Sequence, residues 1–594
     1  MTVVIAPDGR TVVGETYRLE VDAHAPRAVL AGPDGTVWSD LCLLASLDRV
    51  AAADESIAPG APRLRPVSAT EVVVEVDCPS SAWDRKVVRL RCRPRSLELT
   101  VTVTGAGTLT DARLLGGRAL LANGACGTFR SSLAVPSVFV PTPTEPVALV
   151  RPATSSAVLG VLGDASPGRL HAVFSPPPLC LVLGRGAPTG PLAVPAGDWL
   201  SLGIVAPVAD TRFTELRYLP LDGGFLLELD YDAHTVVSSE YTSPPLVIRP
   251  SADPWRALAD HRTDLVAVGA PAGPVSPVAP WWAEPIFCGW GAQCARAAGT
   301  SVTAPELSRA DVYDELLQHL ASHGLVPGTV VVDDKWQASY GTGEPDASRW
   351  PDLRAWVAAR HAAGQRVLLW WKAWDPEGLP AGECLVDTRG RPVAVDPESP
   401  AYRARLRAVV AELLGPDGVD ADGFKVDFTQ RAPAGHALRR EGGGEGSWGV
   451  ALLHVLLAEL YAAAKAAKPE ALVVTHTPHP AFADVSDMVR LNDVLEGDAE
   501  GRVVSQADQM RARRSIVARV LPGHLVDTDQ WPMLDRAQWR AYLAAQAEGG
   551  VPALYYAERI DRSGEELGPG DLALVAELWS SYRARPRPAA EPVR

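Results

Sequence analysis

Asp422-Gly-Phe-Lys-Val-Asp-Phe-Thr-Gln430 is the stretch that decides the fold of this chain. Phe424, Val426 and Phe428 alternate with Lys425 and Asp427, the period of two of a β-strand. A cation and an anion therefore share one face of the predicted strand. A helix-like run from Tyr402 to Leu414, closed by Gly-Pro-Asp-Gly, precedes it. A strand that follows a helix and ends in charged side chains is the repeating unit of a (β/α)8 barrel, which keeps its catalytic groups at the C-terminal strand ends.

Two other segments repeat the pattern. Val330-Val-Val-Asp333-Asp334-Lys-Trp336-Gln337 is an apolar strand ending in adjacent carboxylates and an indole, and Met488-Val-Arg490-Leu-Asn-Asp493-Val494 is a short strand bearing charge. Acids gathered at strand ends beside aromatic rings suit sugar chemistry. Carboxylates act as acid, base or nucleophile, and flat rings stack on a pyranose. Predicted strands cover 285–290, 329–334, 366–371, 422–428, 472–477, 488–494, 523–528 and 552–556, with amphipathic stretches such as 311–320 and 448–461 between them. Eight strands within about 300 residues predict a TIM barrel over residues 281–585. A doubly wound open sheet is the alternative architecture, but no GxGxxG follows any of these strands.

Residues 1–250 read differently. Glu71-Val-Val-Val-Glu-Val-Asp77 and Leu97-Glu-Leu-Thr-Val-Thr-Val103 alternate strictly between Gly and Pro turns, which predicts an antiparallel β-sandwich. Residues 251–280 read as a linker with one short helix, rich in Pro and Gly from Val268 to Pro280, and 586–594 as a tail. The chain of 594 residues is too long for a single core, in keeping with this division.

The formal net charge of −15 and the lack of a basic patch argue against nucleic acid as a partner. Met1-Thr-Val-Val-Ile-Ala-Pro-Asp8 carries no cationic start before an apolar core, and no run approaches the eighteen apolar residues that span a bilayer. The eight cysteines lie scattered without CxxC pairs, as reduced thiols do. A cytoplasmic location without membrane attachment is the expectation, with homo-oligomerisation left open. The richness in Ala, Arg, Gly and Pro points to a bacterial source of high GC content.

At this point the chain resembles a known group. Val332-Asp333-Asp334-Lys335-Trp336 is similar to the Asp-Asp-Gly-Trp signature of the melibiase-type α-galactosidases, and Phe424-Lys425-Val426-Asp427-Phe428 to the Lys-x-Asp signature of the same retaining α-glycosidase clan. That clan holds glycoside hydrolase families thirty-six and twenty-seven, and the related α-glucosidase/α-xylosidase family thirty-one. The run through Arg431-Ala-Pro also resembles the α-xylosidase form of the strand. The resemblance implies that Asp333 and Asp334 bind the O4 and O6 hydroxyls of galactose, that Lys425 contacts sugar hydroxyls, and that Asp427 attacks the anomeric carbon. It places the acid/base on the sixth strand after an Arg, which here is Asp493 with Arg490, spaced Arg-x-x-Asp. Asp498 in Leu495-Glu-Gly-Asp498 is the alternative acid/base and Asp487 a more distant one.

The chemistry fits these residue types. Lys425, two residues from Asp427, would hold the carboxylate ionised, and a second carboxyl must stay protonated. Trp290 at the end of the first strand, Trp336, Trp371 in the crowded Trp370-Trp-Lys-Ala-Trp374 stretch, and His476 in Thr475-His-Thr-Pro-His479 complete the predicted substrate-binding set, each with packing in the barrel as the rival role. No metal-ligand spacing or nucleotide fingerprint occurs in the sequence, so cofactor-independent hydrolysis of a small carbohydrate is expected. The expected activity is that of a retaining exo-α-glycosidase, α-galactosidase-like. An α-glucosidase, α-xylosidase or raffinose-synthase-type transglycosylase is one alternative, and an inactive sugar-binding barrel another.

Overall fold

The computed structural model describes residues 2–133, 135–142, 147–148, 157–163, 173–187, 193–194, 197–221, 223–441, 443–497 and 501–585. The predicted tail and Asp498 lie outside the described residues. Residues up to Ser251 build a sandwich of mainly antiparallel sheets. One is ten-stranded, two are five-stranded, and one is three-stranded with a parallel pairing of Arg118–Leu120 with Glu55–Ile57. The strand Leu97–Thr104 shows why: Leu97, Leu99, Val101 and Val103 are buried while every second residue stays partly exposed.

The barrel follows with strands β1 (Ile286–Cys288), β2 (Thr329–Val332), β3 (Arg366–Lys372), β4 (Gly423–Asp427), β5 (Leu472–Thr475), β6 (Met488–Arg490), β7 (Leu525–Asp527) and β8 (Ala553–Leu554). All pair in parallel in chain order, β8 returns to β1, and a parallel bridge from Asp527 to Val551 joins β7 to the approach of β8. Each strand falls within or close to its predicted range.

One barrel helix is missing. Between β5 and β6 the chain makes only the 3-10 turn Pro480–Phe482. The helix Pro254–Ala267 packs against that turn and against the helix Gln506–Val520 that follows β6, so it fills the vacant place on the barrel wall. The expected linker is therefore structural in its first half. It begins where the Asp253 carboxylate caps the Arg256 N–H at 2.8 Å, and it buries Leu258, His261 and Leu265.

The helix Gly449–Ala467 after β4 is long and apolar enough by composition to cross a membrane, with a mean hydropathy of 1.6, although His454, Glu459 and Lys465 interrupt its apolar residues. It is largely buried and packs against the helix Pro400–Leu414, as a core helix does. Its free N-terminal N–H groups are taken up by the sandwich: Val450 donates to the Phe213 carbonyl at 3.0 Å and Ala451 to that of Thr211 at 3.1 Å. Gly449 makes the approach workable. Its φ is +56°, and a Cβ there would lie 2.0 Å from the Phe213 oxygen. Beside it the buried Trp448 stacks on His234 at 3.5 Å and donates its indole N–H to Asp232 at 3.2 Å.

Trp448 thus ties sandwich to barrel through shape and one hydrogen bond. Trp448→Ala should cost about 3–5 kcal/mol, as core Trp truncations do. Differential scanning calorimetry should show a lowered transition that separates into sandwich and barrel components.

Candidate active site

The C-terminal ends of the barrel strands bring together six carboxyls around two buried cations. Lys425 on β4, 3% exposed, donates to Asp333 at 2.8 Å. The Cys288 thiol at the end of β1 donates to the same Asp333 oxygen at 3.0 Å. Arg490 on β6, 2% exposed, donates to Asp427 at 2.6 Å and to Asp529 at 2.8 Å, and lies 3.5 Å from Asp493. Asp334 and Asp527 complete the set.

Parallel register explains which side chains point inward. Trp370 pairs with Lys425 and Lys372 with Asp427, so these four share the inner face. Trp371 pairs with Val426 and faces outward, where its ring meets Phe424 edge-on at 5.4 Å. The expected role of Trp371 in the sugar site is therefore corrected: the inward indole is that of Trp370, whose N–H donates to Asp427 Oδ2 at 3.1 Å.

Trp336 is also corrected. It is fully buried and donates to the Trp370 carbonyl at 2.8 Å, so it braces β3 and has no face for a ligand. His476 has no surface on the cavity either. Its Nε2 lies 2.8 Å from the Thr429 hydroxyl and 3.9 Å from Asp427, and its Nδ1 lies 3.3 Å from the Val173 carbonyl. Burial lowers its pKa to about 4, which keeps the ring neutral. His476 is a buttress behind Asp427. Trp290 does remain partly exposed and packs edge-on against Trp531 at 6.0 Å. Trp531, Tyr340 and Phe428 are also partly exposed.

Asp334 is the member of the acidic pair that faces the cavity. The Tyr340 hydroxyl donates to it at 2.7 Å, while Asp333 lies buried beneath. Lys335 stands where the signature sequence has Gly and holds φ at +104°, a conformation that normally calls for Gly. Its ammonium lies 3.7 Å from the Tyr340 ring centre and pairs with Glu377 at 2.6 Å, contacts that offset the strain.

Asp487 lies at the start of β6, bonded to Lys465 and Tyr461, away from the cavity. Asp493 reaches the cavity by a kink. Asn492 adopts φ +62°, and Arg513 donates to the carbonyls of Leu491, Asn492 and Asp493 at 2.9, 2.8 and 2.7 Å. That clasp turns a carboxylate three residues beyond Arg490 back toward the same guanidinium.

The electrostatics separate the carboxyls. Burial opposes ionisation of Asp427, but Arg490 and Lys425 nearby, and the Phe428 N–H at 2.8 Å, hold its carboxyl well below the usual range. Arg490 outweighs Lys425 here, whose direct partner is Asp333. Asp493 goes the other way. Half of its side chain opens to the cavity, yet its recessed position, with Asp529 and Asp427 close by, pushes its pKa up to about 7 against the pull of Arg490. Burial likewise raises Asp334 to about 6 and Asp527 to about 7, the latter with help from Asp529.

Asp529 was not legible as a site residue in the sequence. Pro522-Gly-His524-Leu-Val-Asp527-Thr-Asp529-Gln-Trp531 reads as a loop-shaping element, and the N–H groups of Gln530 and Trp531 do bond Asp529. Its second oxygen, however, carries the Arg490 guanidinium. Among the described residues no group of three His, Cys, Asp or Glu side chains could hold a metal ion. A separate open cavity of about 760 Å³ on the sandwich, lined in part by Trp38, Asp40, Arg185 and Tyr218, contains none of this machinery.

Arg490→Met would leave Asp427 and Asp529 as buried anions without their cation. A loss of about 3–5 kcal/mol in a urea titration is expected, in line with other broken buried pairs.

No family model and no curated protein matches the chain in sequence. Its structure is similar to that of the α-galactosidase from Lactobacillus brevis, with a TM-score of 0.51 and 12% identity over 96% of this chain and 83% of that one. The α-galactosidase from Thermus thermophilus, solved in complex with stachyose, gives 0.50 and 16% over 89% and 100%. The galactosidase domain of an α-galactosidase–sucrose kinase gives 0.50 and 11% over 98% and 86%. Likeness at these identities is one of architecture: the chain has the sandwich-and-barrel fold of the α-galactosidases.

Proposed function

We propose that this protein is a retaining exo-α-glycosidase that hydrolyses terminal α-galactosides by double displacement. The observation that carries the proposal is the sharing of one guanidinium by two carboxyls in unlike surroundings, which hold Asp427 well below the usual carboxylate range and push Asp493 up to about 7. Retaining glycosidases need this division: one carboxylate to attack and one acid to give up a proton.

In the first step an Asp427 oxygen bonds to the anomeric carbon as the glycosidic bond breaks, and Asp493 protonates the departing oxygen. In the second, Asp493 takes a proton from water, whose oxygen displaces Asp427 from the sugar. Asp334 faces the cavity where it can accept from sugar hydroxyls, and the Trp290–Trp531 pair and Tyr340 offer ring surface at the rim. The galactoside preference rests on the Asp333-Asp334 signature and on the α-galactosidases that share this fold.

A panel of aryl α-glycosides (galactoside, glucoside, xyloside, N-acetylgalactosaminide and arabinopyranoside) tests the proposal. Turnover of the galactoside, absent in Asp427→Ala, is expected; binding of free galactose without turnover of any member would mark a sugar-binding barrel instead. The pH profile follows from the two carboxyls. Activity should persist into acid because Asp427 stays ionised there, and kcat/KM should fall as pH rises through about 7, where Asp493 loses the proton it must donate. Asp493→Asn should abolish that alkaline limb and slow a phenyl galactoside by roughly 10²–10⁴-fold. A dinitrophenyl galactoside, whose leaving group needs no proton, should suffer less in its first step.

A further inference from the structure

The two oxygens of Asp427 have unlike surroundings. Oδ1 accepts from Arg490 at 2.6 Å and from the Phe428 N–H at 2.8 Å, with His476 Nε2 at 3.9 Å. Among the described residues the one hydrogen bond to Oδ2 comes from the Trp370 indole at 3.1 Å. A carboxylate oxygen has two lone pairs. Those of Oδ1 are committed to two donors, while Oδ2 keeps one for bond formation.

We infer that Oδ2 is the attacking oxygen and that Trp370 is a further catalytic residue whose N–H stabilises Asp427 as a free carboxylate. The inference deepens the reading of Asp427 as a glycosidase nucleophile and rests on it. When Oδ2 bonds to the anomeric carbon and the aglycone leaves with the proton from Asp493, Oδ2 becomes the alkoxy oxygen of an ester. Oδ1 becomes its carbonyl, still held by Arg490 and Phe428. An ester alkoxy oxygen accepts hydrogen bonds far more weakly than a carboxylate does, because the negative charge is gone. The Trp370 bond is therefore weakened in the covalent intermediate. It is regained when water attacks the anomeric carbon, the C–Oδ2 bond breaks and Asp493 takes the water proton. The indole thus favours release of the enzyme from its intermediate over formation of that intermediate.

Trp370 is suited to this work by its placement. It is 1% exposed, fixed by β3 between Tyr340 and Phe428 at 5.9 Å from each ring, and its carbonyl is held by Trp336. It cannot stack on a sugar, so its effect passes through Asp427 alone.

Trp370→Phe keeps most of the ring and removes the donor. Pre-steady-state kinetics with 2,4-dinitrophenyl α-galactoside separate the burst rate constant, which reports glycosylation, from the steady-state rate, which reports deglycosylation. Both are rate constants per active site and so do not depend on how much variant is folded once the burst amplitude is used for titration. Deglycosylation should slow by about ten-fold, the worth of one hydrogen bond to a charged acceptor, with glycosylation affected less. Intact-protein mass spectrometry should then show the galactosyl-enzyme accumulating in the variant. Equal slowing of both steps, or a slower first step with the second unchanged, would overturn the role of Trp370 while leaving Asp427 as nucleophile. Release of the β-anomer of galactose as the first product of wild-type turnover, followed by proton NMR, would overturn the covalent mechanism as well.

Discussion

Arg490 is the constraint on which the site depends. A guanidinium almost wholly removed from water must find anionic partners, and its planar fork can serve several at once. Here it takes Asp427 on one nitrogen and Asp529 on another, with Asp493 a little further off. The three acids hold the cation in place, and the cation favours the ionised form of Asp427 against its burial. Burial, with too few positive charges nearby, leaves Asp334, Asp493 and Asp527 with raised pKa values. A protonated Asp493 beside an ionised Asp427 follows from that imbalance together with burial.

Geometry of this kind is held by strain at the strand ends. Five residues other than Gly with positive φ stand just beyond β2, β3, β4, β6 and β7: Lys335, Trp374, Phe428, Asn492 and Asp529. Each such residue costs about 1–3 kcal/mol and persists only where the surroundings over-determine it. Phe428 follows Asp427 directly, and its strained backbone aims an N–H at the carboxylate. Asn492 stands between Arg490 and Asp493 and folds the chain back under the clasp of Arg513.

The sandwich takes part in this bracing. Its segment Val173–Ser175 presents carbonyls to His476, Asn492 and Thr429, and the Ser175 N–H donates to the carbonyl of His476. The ends of β4, β5 and β6 are thereby held by backbone from the other half of the molecule. The helix Pro254–Ala267, lent by the connecting region, replaces the barrel helix that the chain omits after β5. Sandwich and barrel are two architectures but share one site.

The barrel was legible because its strands are short apolar runs between amphipathic helices, a pattern that burial on both faces imposes on local sequence. The acids at the ends of β2, β4 and β6 were legible for the same reason, since charge at the end of an apolar strand has few structural uses. Rings could not be assigned that way. Trp336, Trp370 and Trp371 look alike in sequence, and only the register of β3 against β4 turned Trp370 toward Asp427 and Trp371 outward. His476 looked like a sugar ligand until both its nitrogens proved to be engaged. Asp529 lay in a loop motif with nothing local to mark its partner. The strand periods, the two-part architecture and the carboxyls at the strand ends are set by neighbours within a few residues, and so were open to local reading. Which carboxyl pairs with which cation, and so which keeps its proton, was decided only by the closed barrel. Charge interactions in a low-dielectric interior depend on distances between groups that chain order leaves far apart.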